Sequence, residues 1–189
     1  PVSPPRPHRL RERIRNNFAH PRVGEIIADA FAEAVRAEGG DTPTVAGTAT
    51  AGIPHAAWLA ERLDAPMAYV RSAAKAHGQG RRIEGARLSS GDVAVVVEDL
   101  ISTGGSALEA VSAVRETGAA VQGVLAIFSY GLDAAEAAFA EAGVKRHVLT
   151  TFSTLLQVAH RDHGLSDEAR ALLKDWRADP EAWSRAHRA

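Results

Sequence analysis

Apolar positions along the chain recur first at helical spacing and then in short continuous runs. From Pro21, the residues Val23, Ile26, Ile27, Ala30, Phe31 and Ala34 mark one face of a helix. Pro21 suits its first turn and Gly39-Gly40 supplies the stop. Thr44–Gly47 is a short apolar run that predicts a strand, followed by the small-residue stretch Gly47–Gly52. His55–Leu63 then reads as a helix and Met67–Val70 as a second strand, while Gly78 and Gly80 break regular structure. Val93–Val97 is an almost all-valine run, as expected of a strand buried on both faces of a parallel sheet. Beyond it the pattern predicts a helix over Ser106–Thr117 and a strand over Gly123–Phe128. An Ala-rich helix over Asp133–Glu141 follows, with Asp133 as its N-cap and Gly143 past its end. A strand over His147–Thr151 and a closing helix over Asp167–Trp176 complete the reading. Strands alternating with helices argue for an α/β fold: a mostly parallel sheet flanked by helices. Residues 1–9, with four prolines, are expected to be irregular, and no internal repeat is present.

Length and charge narrow this picture. A chain of 189 residues favours one domain with a sizeable core. A net charge of −1 argues against an extended nucleic-acid surface. Charge is uneven, however: residues 71–87 carry Arg71, Lys75, Arg81, Arg82 and Arg87 against Glu84 alone. There is no cysteine, which excludes disulfides and fits a reducing compartment; the expectation is a cytoplasmic protein without membrane partners. No apolar run approaches the roughly 20 residues that span a bilayer. The start at Pro1, with no signal-peptide pattern, leads us to expect either processing or a missing upstream stretch.

The chemistry concentrates in Val95–Ser106, which reads Val-Val-Val-Glu-Asp-Leu-Ile-Ser-Thr-Gly-Gly-Ser. A buried strand delivers Glu98 and Asp99 to its C-terminal edge, where open α/β sheets bind ligands. Leu100 and Ile101 lead into Ser102, Thr103, Gly104, Gly105 and Ser106, which open a helix. Glycines let backbone N–H groups turn around an anion, and the helix start adds unpaired donors and a favourable dipole. One end of such a site wants a phosphate and the other wants hydroxyl groups or a metal-bound polyol. A ribose 5-phosphate satisfies both. The segment is neither a P-loop nor a dinucleotide-binding glycine turn.

Val95–Ser106 resembles the phosphoribosyl pyrophosphate (PRPP) signature of the type I phosphoribosyltransferases. Three further stretches, Gly47–Ala57, Tyr69–Gly78 and Ile83–Gly85, resemble the orotate phosphoribosyltransferases specifically. The likeness extends from about Pro21 to Ala159 and includes Thr154–Ala159. It implies a type I phosphoribosyltransferase-like fold that transfers the phosphoribosyl group of PRPP to orotate, giving orotidine 5′-monophosphate and pyrophosphate. Magnesium would enter with PRPP and not through a dedicated protein site. By the same resemblance, Glu98 and Asp99 would hold the ribose hydroxyls and help organise the Mg²⁺ shell. Leu100–Ser106 would bind PRPP, Ser102 to Ser106 cradling the 5′-phosphate and Ser102 also lying near orotate. The backbone near Thr50–Gly52 would line the pyrophosphate site. Arg71, Lys75 and His77 would meet the pyrophosphate from a loop, Arg71–Gly80, that acts across the interface of a homodimer. Lys75, His77 and Asp99 are the catalytic candidates.

The chain departs from that pattern in three places. Ser72 and Ala73 stand where many relatives carry a further lysine. The Pro- and Arg-rich residues 1–20 form an atypical N-terminal hood segment ahead of a phosphoribosyltransferase domain over residues 21–189, with Arg13 and Ile14 in place of an Asp-Asn pair. The sequence position near Tyr130-Gly131, where some relatives offer an arginine to orotate, has none. These departures keep two alternatives open: another base as acceptor, or a non-catalytic regulatory PRPP-binding protein. Among the remaining residues, His55 is expected to pack or cap a helix start. His160 and His163 lack the carboxylates a metal site would need, and Trp176 and Trp183 are expected to pack the C-terminal region.

Overall fold

A computed structural model describes residues 16–71 and 82–186. A short 3-10 turn, Asn16–Ala19, precedes α1 (Pro21–Glu38). There follow β1 (Thr44–Thr48), α2 (Gly52–Leu63), β2 (Met67–Val70), β3 (Ile83–Gly85), β4 (Val93–Ile101) and α3 (Gly105–Arg115). The chain continues through β5 (Ala120–Ser129), α4 (Asp133–Glu141), β6 (Arg146–Thr151), α5 (Phe152–His163), α6 (Asp167–Ala178) and α7 (Pro180–Ala186). One six-stranded sheet runs in the order β3-β2-β1-β4-β5-β6. All neighbours are parallel except β2 and β3. This is the α/β architecture expected.

β4 sits at the centre because its sequence leaves nothing for water: every residue after Val93 is buried. Alternate side chains feed two cores. Val95 and Val97 join the face covered by α1 and α2, packing with Phe31, Ala56 and Leu59. Ala94 and Val96 join the opposite face with Val111 and Val114 of α3 and Phe139 of α4. The C-terminal helices close the first face. Trp176 is only 4% exposed and lies edge-on to Tyr130 at 5.6 Å and tilted against Phe152 at 5.5 Å, ring centre to ring centre. It is a packing residue, as expected, and Trp183 packs partly buried against the same core.

Several local expectations require correction. The buried stripe of α1 runs through Gly24, Ile27, Ala28, Phe31, Ala32 and Val35, whereas Ile26 is 60% exposed. Gly24 explains the rotation: a Cβ there would lie 2.6 Å from the Trp58 ring, so only glycine lets α1 settle this close to α2. Asp133 is the first helical residue of α4 and not its N-cap; the extended Leu132 occupies that place without a side-chain cap. The Asp133 carboxylate still complements the helix dipole from the first turn. β3, α5, α7 and the 3-10 turn went unpredicted. β3 has three residues, too few to show a period, and α5 is capped by the Thr151 hydroxyl, which accepts from Thr154 N.

Candidate active site

The strand order reverses between β1 and β4. From β1 the chain moves outward to β2 and β3, then returns to β4 on the other side. Such a switch point leaves a crevice at the carboxyl ends of the strands, the usual ligand site of an open α/β sheet. Gly47 of β1 pairs with Val97 of β4, so Thr48 and Glu98 emerge together at this crevice.

Glu98 and Asp99 are adjacent in sequence and therefore point to opposite faces of β4. Glu98 lies on the α3 face, where its Oε2 accepts from Ser106 Oγ at 3.0 Å and its Oε1 from the Asp99 backbone N–H at 3.0 Å. Asp99 faces α2, close enough for its charge to act on His55. Both carboxylates are buried, Glu98 to 4% and Asp99 to 6% exposure. Burial pushes the Glu98 carboxyl up to about 7, helped by the hydrogen bond to Asp99 and by its charge, with Thr48 opposing. Burial also dominates at His55, lowering it to about 4 against the pull of Asp99; this imidazole is neutral at pH 7 and packs edge-on against Trp58. His55 thus fills the packing role foreseen for it.

Past β4, residues Leu100 to Ala107 wrap a small cavity of about 120 Å³. Gly104 holds a left-handed conformation (φ 90°) at the N-cap of α3, and a Cβ there would meet the Phe139 ring at 2.8 Å. Ser102 is half-buried and Thr103, Gly105 and Ser106 are exposed, while the Ser106 hydroxyl is bonded to Glu98. The free N–H groups of the first turn of α3 suit an anion there.

On the other side of the crevice, β1 turns directly into α2. Thr48 Oγ1 donates to the Val97 carbonyl at 3.1 Å, tying the turn to β4. A Cβ on Gly52 would lie 2.4 Å from that same carbonyl oxygen and 2.5 Å from Thr48 Oγ1. The Ala49–Thr50 peptide bond within this turn is cis. At the end of β2, Arg71 Nη1 donates to Glu84 Oε1 at 3.1 Å, and Tyr69 donates its hydroxyl to Glu84 Oε2 at 2.6 Å.

Of the sequence-predicted site residues, Arg71, Glu98, Asp99 and Leu100–Ser106 therefore gather at one end of the sheet. Lys75 and His77, with Ser72 and Ala73, lie outside the described residues, as do Arg13, Ile14 and the rest of residues 1–15. Thr48, Tyr69, Glu84 and Arg82 fall within stretches marked in the sequence but have no site role there. Only the strand register, which places Thr48 beside Glu98 and Tyr69 opposite Glu84, brings them into view. A larger cavity, about 630 Å³, opens at the opposite end of the sheet between α1, α4 and the starts of β5 and β6. Its charged rim is spent on the ion pairs Lys145–Glu38 (2.8 Å) and Arg146–Glu136. The carboxyl-end crevice carries the adjacent acids, the hydroxyls and the helix start, and we place the site there. Away from it, His160 uses Nδ1 on the Leu165 carbonyl at 2.7 Å.

Residues 15–151 match the phosphoribosyl transferase domain family. The chain is 48% identical over 171 residues to the orotate phosphoribosyltransferase of Listeria innocua, covering 90% of this chain and 81% of that one. It is 50% identical over 169 residues to that of Bacillus caldolyticus, covering 89% and 81%. The chain belongs to the orotate phosphoribosyltransferases. Solved structures agree with this membership. The orotate phosphoribosyltransferase of Aeropyrum pernix superposes with a TM-score of 0.69 at 29% identity, over 77% of this chain and 81% of that one. The Mycobacterium tuberculosis enzyme in complex with PRPP gives 0.63 at 30% identity, over 75% and 81%. The family resemblance and the fold expected from the sequence are both borne out.

Proposed function

We propose that this enzyme binds PRPP across the β1–β4 switch point and passes its phosphoribosyl group to orotate, releasing pyrophosphate and orotidine 5′-monophosphate. The observation that carries the reading is the order of groups along one crevice. The α3 start offers a shell for a 5′-phosphate, the Glu98–Asp99 pair lies next to it, and the β1–α2 turn lies beyond. In this arrangement the 5′-phosphate rests on Ser102–Ser106, the ribose hydroxyls meet Asp99, and the leaving group lies over Thr50–Gly52. Glu98, locked by Ser106 and the Asp99 backbone, acts as the brace that holds the phosphate loop against β4. Ser102 borders both the phosphate shell and the space for orotate.

The oxygens of PRPP form a donor set suited to a hard divalent cation, with the acid pair beside it. Mg²⁺, arriving with PRPP, would be organised by Glu98 and Asp99 and would neutralise charge on the departing pyrophosphate. The residues do the rest by positioning, since an oxocarbenium-like transition state needs orientation and a stabilised leaving group more than a strong base. Lys75 and His77, by family resemblance, join Arg71 at the pyrophosphate from a neighbouring subunit of a homodimer. The absence of cysteine from the sequence fits a cytoplasmic enzyme.

A spectrophotometric orotate assay with and without PRPP and Mg²⁺ tests this directly. PRPP-dependent loss of orotate is expected. PRPP binding without turnover would instead indicate a regulatory protein, and turnover only with another base would indicate a different acceptor. For the dimer, mixing Lys75→Ala subunits with Asp99→Asn subunits, each of reduced activity, should restore part of the activity; no recovery would rule out action in trans.

A further inference from the structure

We propose that Arg82 binds the pyrophosphate group, as a second guanidinium of the active site beside Arg71. This rests on the reading of the β1–α2 turn as the pyrophosphate cradle. Arg82 precedes β3, and its carbonyl accepts from the Arg71 backbone N–H at 2.8 Å, which fixes the two arginines opposite each other. Both side chains line a narrow crevice of about 10 Å³, room for one anion oxygen, whose other walls are Thr48 and Ala49 from the end of β1, Val70 from β2, and Ser106, Glu109 and Ala110 from α3. The crevice therefore lies between the residues that lead into the proposed pyrophosphate turn and the last residue of the proposed phosphate loop.

The two guanidinium groups differ in how they are used. Arg71 is engaged by Glu84, which Tyr69 holds in place. Arg82 reaches its carboxylate, Glu109, only at 3.8 Å, too long for a hydrogen bond. Its Nε is buried and, among the described residues, has no hydrogen-bond partner. A buried N–H of a charged group left unsatisfied is costly, and an oxygen of a multiply charged anion entering the crevice would satisfy it. Glu109, with its side chain 63% exposed, is a weak competitor for that place. A guanidinium presents its donors in a planar fork matched to phosphate oxygens, so the chemistry selects a diphosphate over a single hydroxyl or a carboxamide.

Isothermal titration of the full chain with magnesium pyrophosphate and, separately, with orotidine 5′-monophosphate tests the assignment. The nucleotide carries the ribose and 5′-phosphate but no diphosphate. Arg82→Ala is expected to weaken pyrophosphate binding at least about tenfold while leaving the nucleotide within about twofold of wild type. Arg82→Lys should recover part of the loss, and Glu109→Gln should bind pyrophosphate as tightly as wild type or tighter. Should Arg82→Ala fail to fold, Arg82→Gln carries the same expectation. Pyrophosphate binding unchanged by loss of the guanidinium would overturn the role of Arg82 alone. An equal loss for both ligands would make Arg82 a structural residue and overturn it likewise. A wild-type protein that bound no pyrophosphate would remove the reading of the β1–α2 turn, and Arg82's role with it.

Discussion

Glu98 and Asp99 stand one residue apart yet face different neighbours, and that difference assigns them different work. Asp99 faces the His55 side of the sheet, and Asp99→Asn is expected to raise the Kd for PRPP at least about tenfold by titration calorimetry. Glu98 is bonded into the protein itself, and its carboxyl is pushed up to about 7 by burial, then by the bond and charge of Asp99. The folded state therefore holds this proton more tightly than the unfolded chain, where the ordinary value is 4.5. Its stabilising contribution is complete below 4.5 and is lost as pH rises through about 7. Glu98→Gln is neutral at every pH, so its stability relative to wild type should rise between pH 5 and pH 8 by roughly 1–3 kcal/mol in urea titrations. Gly52 is the third residue whose environment dictates an outcome. With a Cβ 2.4 Å from the Val97 carbonyl oxygen, Gly52→Ala must displace the turn, and turnover should fall by about a hundredfold or more.

At the scale of elements, the strands were the most legible and the helix faces the least. Met67–Val70 and Asp133–Glu141 have the bounds their sequences predicted, because both begin and end on clear changes of pattern. β4 runs on to Ile101, four residues further than its valine run, since the acids of the site continue the ladder. The face of α1 was misjudged because Val23, Ile26 and Ala30 and their neighbours one position on both satisfy a helical period. The contact between Gly24 and Trp58, separated by 34 residues, decides between them, and sequence spacing does not carry it. The same limit hid Arg82 and Thr48, whose partners lie on other strands. The corrected face has a measurable consequence: Phe31→Ala, at a position with no exposure, should destabilise by about 3–5 kcal/mol. Ile26→Ala, on the exposed side, should change stability by less than about 0.5 kcal/mol in the same urea titration.

The molecule as a whole is a scaffold that brings three separated stretches, β1–α2, β2–β3 and β4–α3, to one end of a sheet. The acid-hydroxyl-glycine stretch could be read from sequence because it is continuous; the crevice could not, because it exists only where the strand order reverses. A ligand that bridges these stretches should stabilise the fold as a unit. PRPP with Mg²⁺ at about a hundred times its Kd is expected to add about 2.7 kcal/mol, a rise in melting temperature of roughly 5–10 °C. Where PRPP lies is read most directly from a crystal soaked with PRPP and Mg²⁺. The 5′-phosphate is expected in the shell of Leu100–Ala107, the ribose hydroxyls at Asp99 and the diphosphate beside Gly52. PRPP bound elsewhere with that shell vacant would rule this placement out.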